Sequence, residues 1–277
     1  MEATLKKTGS KIRAGGIREK GLPLLQKVIF DNLSIIVFLV IWEVAPRIGL
    51  VPQTFISPPT LVVSTLWDLL ADGTLLLHIK ASLLRAVLGF VLAAVIGIPL
   101  GFFLGGWFRL FERIVTPVLR LLAEVNPFSL FPVFILLFGI GEISKVSMIF
   151  WVCLWPILLN TITGVKSVDE LLVKSARSMG VKAADMFFKV VLPAASPGIF
   201  HGLKTSCNTA FFMLIAAEMI GASSGLGWLV FNAQNNYQIP KLFATTVTIS
   251  ILGLSLNYLF SELERRVIIW KENAPEY

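Results

Sequence analysis

Val146–Val165 reads VSMIFWVCLWPILLNTITGV, twenty residues without a charge. A helix needs about 20 residues to cross the apolar core of a bilayer, so this run decides the fold class. Outward from it the pattern repeats. Ala81–Leu104 is apolar but for Arg85, Pro197–Ile220 is a further span, and Leu242–Phe260 is again uncharged. Ile114–Ile140 has the required length but is interrupted at Asn126-Pro127 and at Pro132. Leu33–Ala45 supplies a sixth span, extending to Leu50 if Glu43, Pro46 and Arg47 lie at the far interface. The expectation is an all-α polytopic membrane protein with about six transmembrane helices.

Composition agrees. Of 277 residues, 56% are hydrophobic and 15% charged, with a mean hydropathy of +0.80; a soluble domain carries roughly 25% charged residues. The net charge of +7 would suggest nucleic acid in a soluble protein, but here it reports orientation. With six spans both termini share a side. Of the 24 Lys and Arg, only Arg47, Lys80, Arg85, Lys145 and Lys241 then fall on the other side. Basic residues mark the cytoplasmic face, so both termini are expected there, in a multi-pass membrane protein. No nucleic-acid partner is expected. The basic start lacks the small-residue pattern of a cleavable signal. Cys153 and Cys207 both fall in apolar spans and read as small hydrophobes.

The chain divides into a tail and interfacial helix over 1–32, a six-helix transmembrane domain over 33–262, and a tail over 263–277. Ser57-Pro58-Pro59-Thr60 opens a short helix, Leu61–Leu70, with proline in its first turn, where a missing N–H costs nothing.

Lys166–Pro193 is the informative polar stretch. Ser167-Val168-Asp169-Glu170 fits a capping box, predicting a helix over 168–179 that stops at Gly180, a residue suited to the left-handed end of a helix. A second short helix over 182–190 would end at Leu192-Pro193. A cytoplasmic helical hairpin among short loops is a docking device.

This segment carries a resemblance. Permeases of binding-protein-dependent ATP-driven (ABC) importers share the cytoplasmic pattern Glu-Ala-Ala, three residues, Gly, nine residues, Ile, one residue, Leu-Pro. Here Lys174-Ser175-Ala176, three residues, Gly180, nine residues, Val190, Val191, Leu192-Pro193 keeps that spacing, with Lys174, Ser175 and Val190 as departures. The resemblance spans about 58–270 and is similar to the sulfonate, taurine, nitrate and bicarbonate branch through Phe138-Gly139-Ile140-Gly141-Glu142, Ala216-Ala217-Glu218 and Gly225-Leu226-Gly227. It implies a MetI-like core, a small anionic solute, two permease copies forming a homodimer, two ATPase subunits and an external solute-binding protein. It implies further that the hairpin couples to the ATPase through Lys174, Ser175, Ala176, Met179, Gly180, Val181, Leu192 and Pro193. No cofactor is expected on this chain. It has no Gly-Lys dipeptide, so G-x-x-x-x-G-K-[ST] is absent and ATP belongs to the partner.

Ionisable groups at membrane depth are candidate sites. Glu218 is a gate or pathway residue or a helix-end hydrogen-bonding group. Arg120 and Glu124, four apart, form a structural ion pair or contact solute. Asn126 and Ser129 flank the break in the third span and line a path or merely pack a kink. Asn208 and Thr209 bond between helices or meet solute.

Two other classes were weighed. A gradient-driven secondary transporter or channel would show inverted repeats and paired midplane acids, and neither is present. A membrane-embedded hydrolase is suggested by Gly221-Ala222-Ser223-Ser224-Gly225, which satisfies G-x-S-x-G. That motif needs a strand–turn–helix and a downstream His, whereas His78 and His201 both precede it.

Overall fold

A computed structural model describes residues 33–106 and 109–268. The expected tail and interfacial helix over 1–32 and the last residues of the C-terminal tail lie outside the described residues. Every regular element described is helical.

The first helix, α1 (Leu33–Arg47), ends at Pro46-Arg47, and the chain turns at Gly49 with φ +80°. At 15 described residues α1 falls short of a full span. It is tied to α2 (Pro59–Ala71) by polar contacts: the Trp42 indole N–H donates to the Ser57 carbonyl at 3.0 Å, and Glu43 Oε2 accepts from the Thr60 N–H at 3.0 Å. Pro59 occupies the first helical position of α2, as expected.

Four helical stretches are long and apolar enough to cross a membrane: α3 (Thr74–Gly106), α6 (Glu142–Lys166), the stretch Ala183–Gly221 and α11 (Ile239–Val267). Between α3 and α6 lie α4 (Arg109–Ala123) and α5 (Pro127–Phe138). The expected break at Asn126-Pro127 is present, as two helices meeting at 90°. The expected interruption at Pro132 is not, because Pro132 lies inside α5. Proline at 127 removes one N–H and pushes the preceding residue out of the helical region. The Asn126 side chain then caps the new helix, accepting from the Phe128 N–H at 2.9 Å.

The hairpin consists of α7 (Glu170–Ser178) and α8 (Ala183–Met186). Two expectations fail here. The capping box does not form, because Ser167 still belongs to the last turn of α6, its Oγ donating to the Gly164 carbonyl at 2.8 Å. Asp169 caps α7 instead, accepting from the Leu171 N–H at 2.8 Å. The second arm does not end at Leu192-Pro193 either. A π-helical turn, Phe187–Val191, carries it into α9 (Leu192–Gly221), so Ala183–Gly221 is a continuous 39-residue rod. Pro193 sits in the first turn of α9, where its missing N–H costs least. Beyond α9 the expected loop contains a helix, α10 (Leu226–Asn235), and α11 continues to Val267, past the expected tail boundary at 263.

Packing centres on α6, which lies between α3 and α9. Along α3, Gly89, Ala93, Gly97, Gly101 and Gly105 recur every four residues and meet Ile149, Cys153, Ile157, Thr161 and Val165 of α6, spaced alike. A Cβ on Gly101 would lie 2.5 Å from the Thr161 Cβ. The small side chains let the backbones close together, which drives association where no hydrophobic effect operates between helices. On the other side of α6, Gly164 meets Gly198 of α9, where a Cβ on Gly198 would lie 2.7 Å from the Gly164 Cα.

Candidate functional site

The hairpin is built as the sequence requires at its turn. Gly180 has φ +77°. The Val181 N–H donates to the Ala176 carbonyl at 3.2 Å and the Gly180 N–H to the Arg177 carbonyl at 3.0 Å, the paired bonds of a Schellman ending. Lys174, Ser175, Met179 and Gly180 are exposed around this turn, and Val181 is half-buried. Ala176 is buried, at 5% exposure, and packs inside the hairpin. Leu192 and Pro193 are half-buried in α9, with Leu192 against Phe102, Val165, Ala195 and Ile199.

At the other end of the bundle, about 36 Å away along α6 by its 25 residues at 1.5 Å each, lies a charged cluster. On α3, His78, Ser82 and Arg85 share one face at spacings of four and three. Arg85 is 2% exposed, Glu218 of α9 is 0% exposed, and the two meet at 2.6 Å through Arg85 Nη1. Glu142, the first residue of α6, takes Arg85 Nε and Nη2 at 2.5 and 2.8 Å. Ser224 completes the ring, its carbonyl accepting from Nη1 at 2.7 Å and its Oγ from Nη2 at 3.0 Å. All five N–H donors of the guanidinium thereby find acceptors. Lys145, also buried, lies 3.6 Å from Glu142.

The same cluster caps α10. Its first backbone N–H groups have no partner inside the helix. The Gly225 N–H donates to His78 Nδ1 at 3.0 Å, the Leu226 N–H to Ser82 Oγ at 2.8 Å, and the Gly227 N–H to Glu218 Oε2 at 2.9 Å. Ser82 Oγ in turn donates to Glu218 at 2.8 Å. A carboxylate at a helix N-terminus also meets the favourable end of the helix dipole. Two glycines make room for it: a Cβ on Gly225, at φ +119°, would lie 2.2 Å from Glu218 Oε1, and one on Gly227 would lie 2.2 Å from the Ile215 carbonyl oxygen. The arrangement binds three spans and α10 into one unit and leaves Glu142 with a largely exposed carboxylate, 61% open.

Of the pathway candidates, only Glu218 belongs to this cluster. Glu124, Asn126, Ser129 and Asn208 are exposed on the surface of the single chain. The expected Arg120–Glu124 ion pair is not formed among the described residues. Glu124 follows the last residue of α4 at the elbow, and both side chains instead line an open groove of about 420 Å³ with Thr116, Pro117 and Leu121. Thr209 bonds within its own helix, donating to the Thr205 carbonyl at 2.9 Å. Sequence reasoning missed Arg85, Ser82, His78, Glu142 and Ser224; the one available signal was the four-three spacing of His78, Ser82 and Arg85 in an apolar run. The G-x-S-x-G stretch, whose central serine is Ser223, lies in the connection between α9 and α10 with no strand before it, and His78 serves the Gly225 N–H. Among the described residues no group of three His, Cys, Asp or Glu could hold a metal ion.

A bundle with four helical stretches long and apolar enough to cross a membrane, a helical hairpin at one end and a buried ion cluster at the other, defines an all-α protein of the membrane-spanning class. The chain belongs to the family of binding-protein-dependent transport system inner membrane components, which it matches over residues 97–269, and it is a permease of that family. It is similar to the putative aliphatic sulfonates transport permease protein of Bacillus subtilis (strain 168), at 35% identity over 98% of this chain and 94% of that one. It is 31% identical to the taurine transport system permease protein of Escherichia coli (strain K12), over 90% of this chain and 92% of that one. The fold matches a chain of an inward-facing MetNI methionine ABC transporter with TM-score 0.62, at 18% identity, over 71% of this chain and 97% of that one.

Proposed function

We propose that this chain forms half of the translocation pathway of an ATP-driven importer for a small anion of the sulfonate, taurine, nitrate or bicarbonate kind. Two copies assemble with two ATPase subunits, which bind and hydrolyse ATP, and an extracytoplasmic binding protein delivers the solute. The termini and the 166–193 hairpin face the cytoplasm, and the hairpin docks on the ATPase through Lys174, Ser175, Met179, Gly180 and Val181. Ala176, Leu192 and Pro193 hold the hairpin's own packing.

One observation carries the coupling reading. The rod Ala183–Gly221 begins at the hairpin and ends three residues beyond Glu218. A push on the hairpin thus acts on the same element that holds the ion cluster, whose Glu218 lies about 52 Å along that rod from Ala183 at 1.5 Å per residue. The relatives supply the solute class.

Gly180→Val tests it. A β-branched residue at φ +77° costs roughly 1–2 kcal/mol and also projects a side chain towards the partner. Uptake is expected to be lost and ATPase copurification to weaken, while membrane insertion stays as in the wild type. Lys174→Glu is expected to be tolerated. Full solute-stimulated ATP hydrolysis and uptake by Gly180→Val would remove the hairpin from the coupling role.

A further inference from the structure

Behind the hairpin, against the ends of α3 and α6, the start of α4 and the π-helical turn, lies a cavity of about 1000 Å³. Its rim carries Arg113, Lys166, Lys174 and Arg177, with Glu112 and Glu170. Lys166 is 2.5 Å from Glu112, and Lys174 is 3.4 Å from Glu170. Arg113 and Arg177 form no ion pair among the described residues. The wall beneath them is apolar: Phe102, Val165, Phe187 and Val191. On α7 the cavity takes one face, Glu170, Val173, Lys174 and Arg177, at helical spacings of three, four and seven. Lys174 and Val181 of the proposed docking face also line the cavity, whereas Leu171, Leu172 and Met179 are exposed away from it, so an occupant leaves these three open to the ATPase.

The ligand must therefore be anionic at one end and apolar at the other. The position selects among such molecules, because α3 ends at Gly106 and α6 at Lys166, where two apolar rods leave the hydrocarbon zone. We propose that this cavity binds an anionic phospholipid of the adjoining leaflet, its phosphate held by Arg113 and Arg177 and its acyl chains lying along Phe102, Val165, Phe187 and Val191. A guanidinium presents two parallel N–H donors to a phosphate, and basic pockets at the cytoplasmic ends of spans suit anionic headgroups. A free phosphate ion would leave the apolar wall in contact with water.

The test is lipid binding to the purified full chain, read by native mass spectrometry with phosphatidylglycerol and with phosphatidylcholine. Phosphatidylglycerol is expected to bind the wild type preferentially and the double variant Arg113→Gln, Arg177→Gln about thirtyfold more weakly, at roughly 1 kcal/mol per basic side chain. The lysine pair, Arg113→Lys with Arg177→Lys, keeps the charge but loses the paired donors and is expected to bind more tightly than the glutamine pair, and Arg265→Gln with Arg266→Gln, elsewhere on the chain, leaves binding within about threefold of the wild type. Four results overturn the proposal: equal binding of phosphatidylcholine, unchanged binding by the glutamine pair, a lysine pair that binds no better than the glutamine pair, or an equal loss by the Arg265, Arg266 pair. Displacement of the lipid by inorganic phosphate, mole for mole, would assign the cavity to a free anion and also overturn it.

Discussion

At the scale of single residues, the arginine at 85 and the glutamate at 218 define each other. Removing one partner of a buried pair leaves the other charge uncompensated, at a cost of about 3–5 kcal/mol. Arg85→Ala should therefore lower the thermal unfolding temperature and the yield of folded protein sharply. Arg85→Met combined with Glu218→Leu removes both charges and should be more stable than Arg85→Ala alone; a double variant no better than the single one would show that the pair is not coupled. Glu218→Gln keeps an acceptor for the Gly227 N–H but weakens the hold on Arg85. It should reduce uptake with expression near normal, measured in cells carrying the partner subunits. Glu218 was legible in the sequence because a lone acid in an apolar run is costly anywhere. Its partner was not, because 133 residues separate the two and no spacing rule reaches across two helices. Gly180 was legible down to its backbone conformation, since few residues accept that geometry.

At the scale of elements, the apolar runs gave α3, α6, α9 and α11 because each needs only length and lack of charge. The helix α10 was hidden, being ten residues long and held by capping groups from α3 and α9. The elbow between α4 and α5 was signalled by Asn126-Pro127, but a proline marks a break and not its angle. The capping of α7 misled for a local reason: Ser167 and Asp169 both suit a cap, and the last turn of α6 claimed the serine. The α3–α6 seam makes a sharp prediction. Gly101→Leu drives a side chain into Thr161, and overpacking of this kind costs about 1–3 kcal/mol or more. Gly106→Ala meets only Val165, at 3.7 Å, and should be silent. Thermal unfolding in detergent separates the two, and equal effects would mean that the seam is not closely packed in the membrane.

At the scale of the whole molecule, α9 exposes His201, Thr205 and Asn208 at spacings of four and three. Polar side chains are not left facing lipid. This face calls for protein or a watery path, and a second copy about a two-fold axis supplies both. Asn208→Cys, in a chain otherwise free of cysteine, should react with small water-soluble thiol reagents in the assembled transporter, and native mass spectrometry should find two permease copies. An inert cysteine together with a single permease copy would contradict this arrangement.

The pairing of Arg85 also bears on how the protein is made. Glu142 emerges 57 residues after Arg85 and Glu218 only 133 residues after it. At about 5–20 residues per second, α3 waits roughly 7–27 s for its second counter-ion, and a lone arginine in a span disfavours insertion, by about 2.5–3.5 kcal/mol at the helix centre and by less towards an end. The nascent helix must meet that cost alone. Residues 86–104 of α3, beyond Arg85, carry no charge, which suits a span that enters the bilayer with an unanswered charge. The later helices are released from that demand, because their partners are already in place when they arrive.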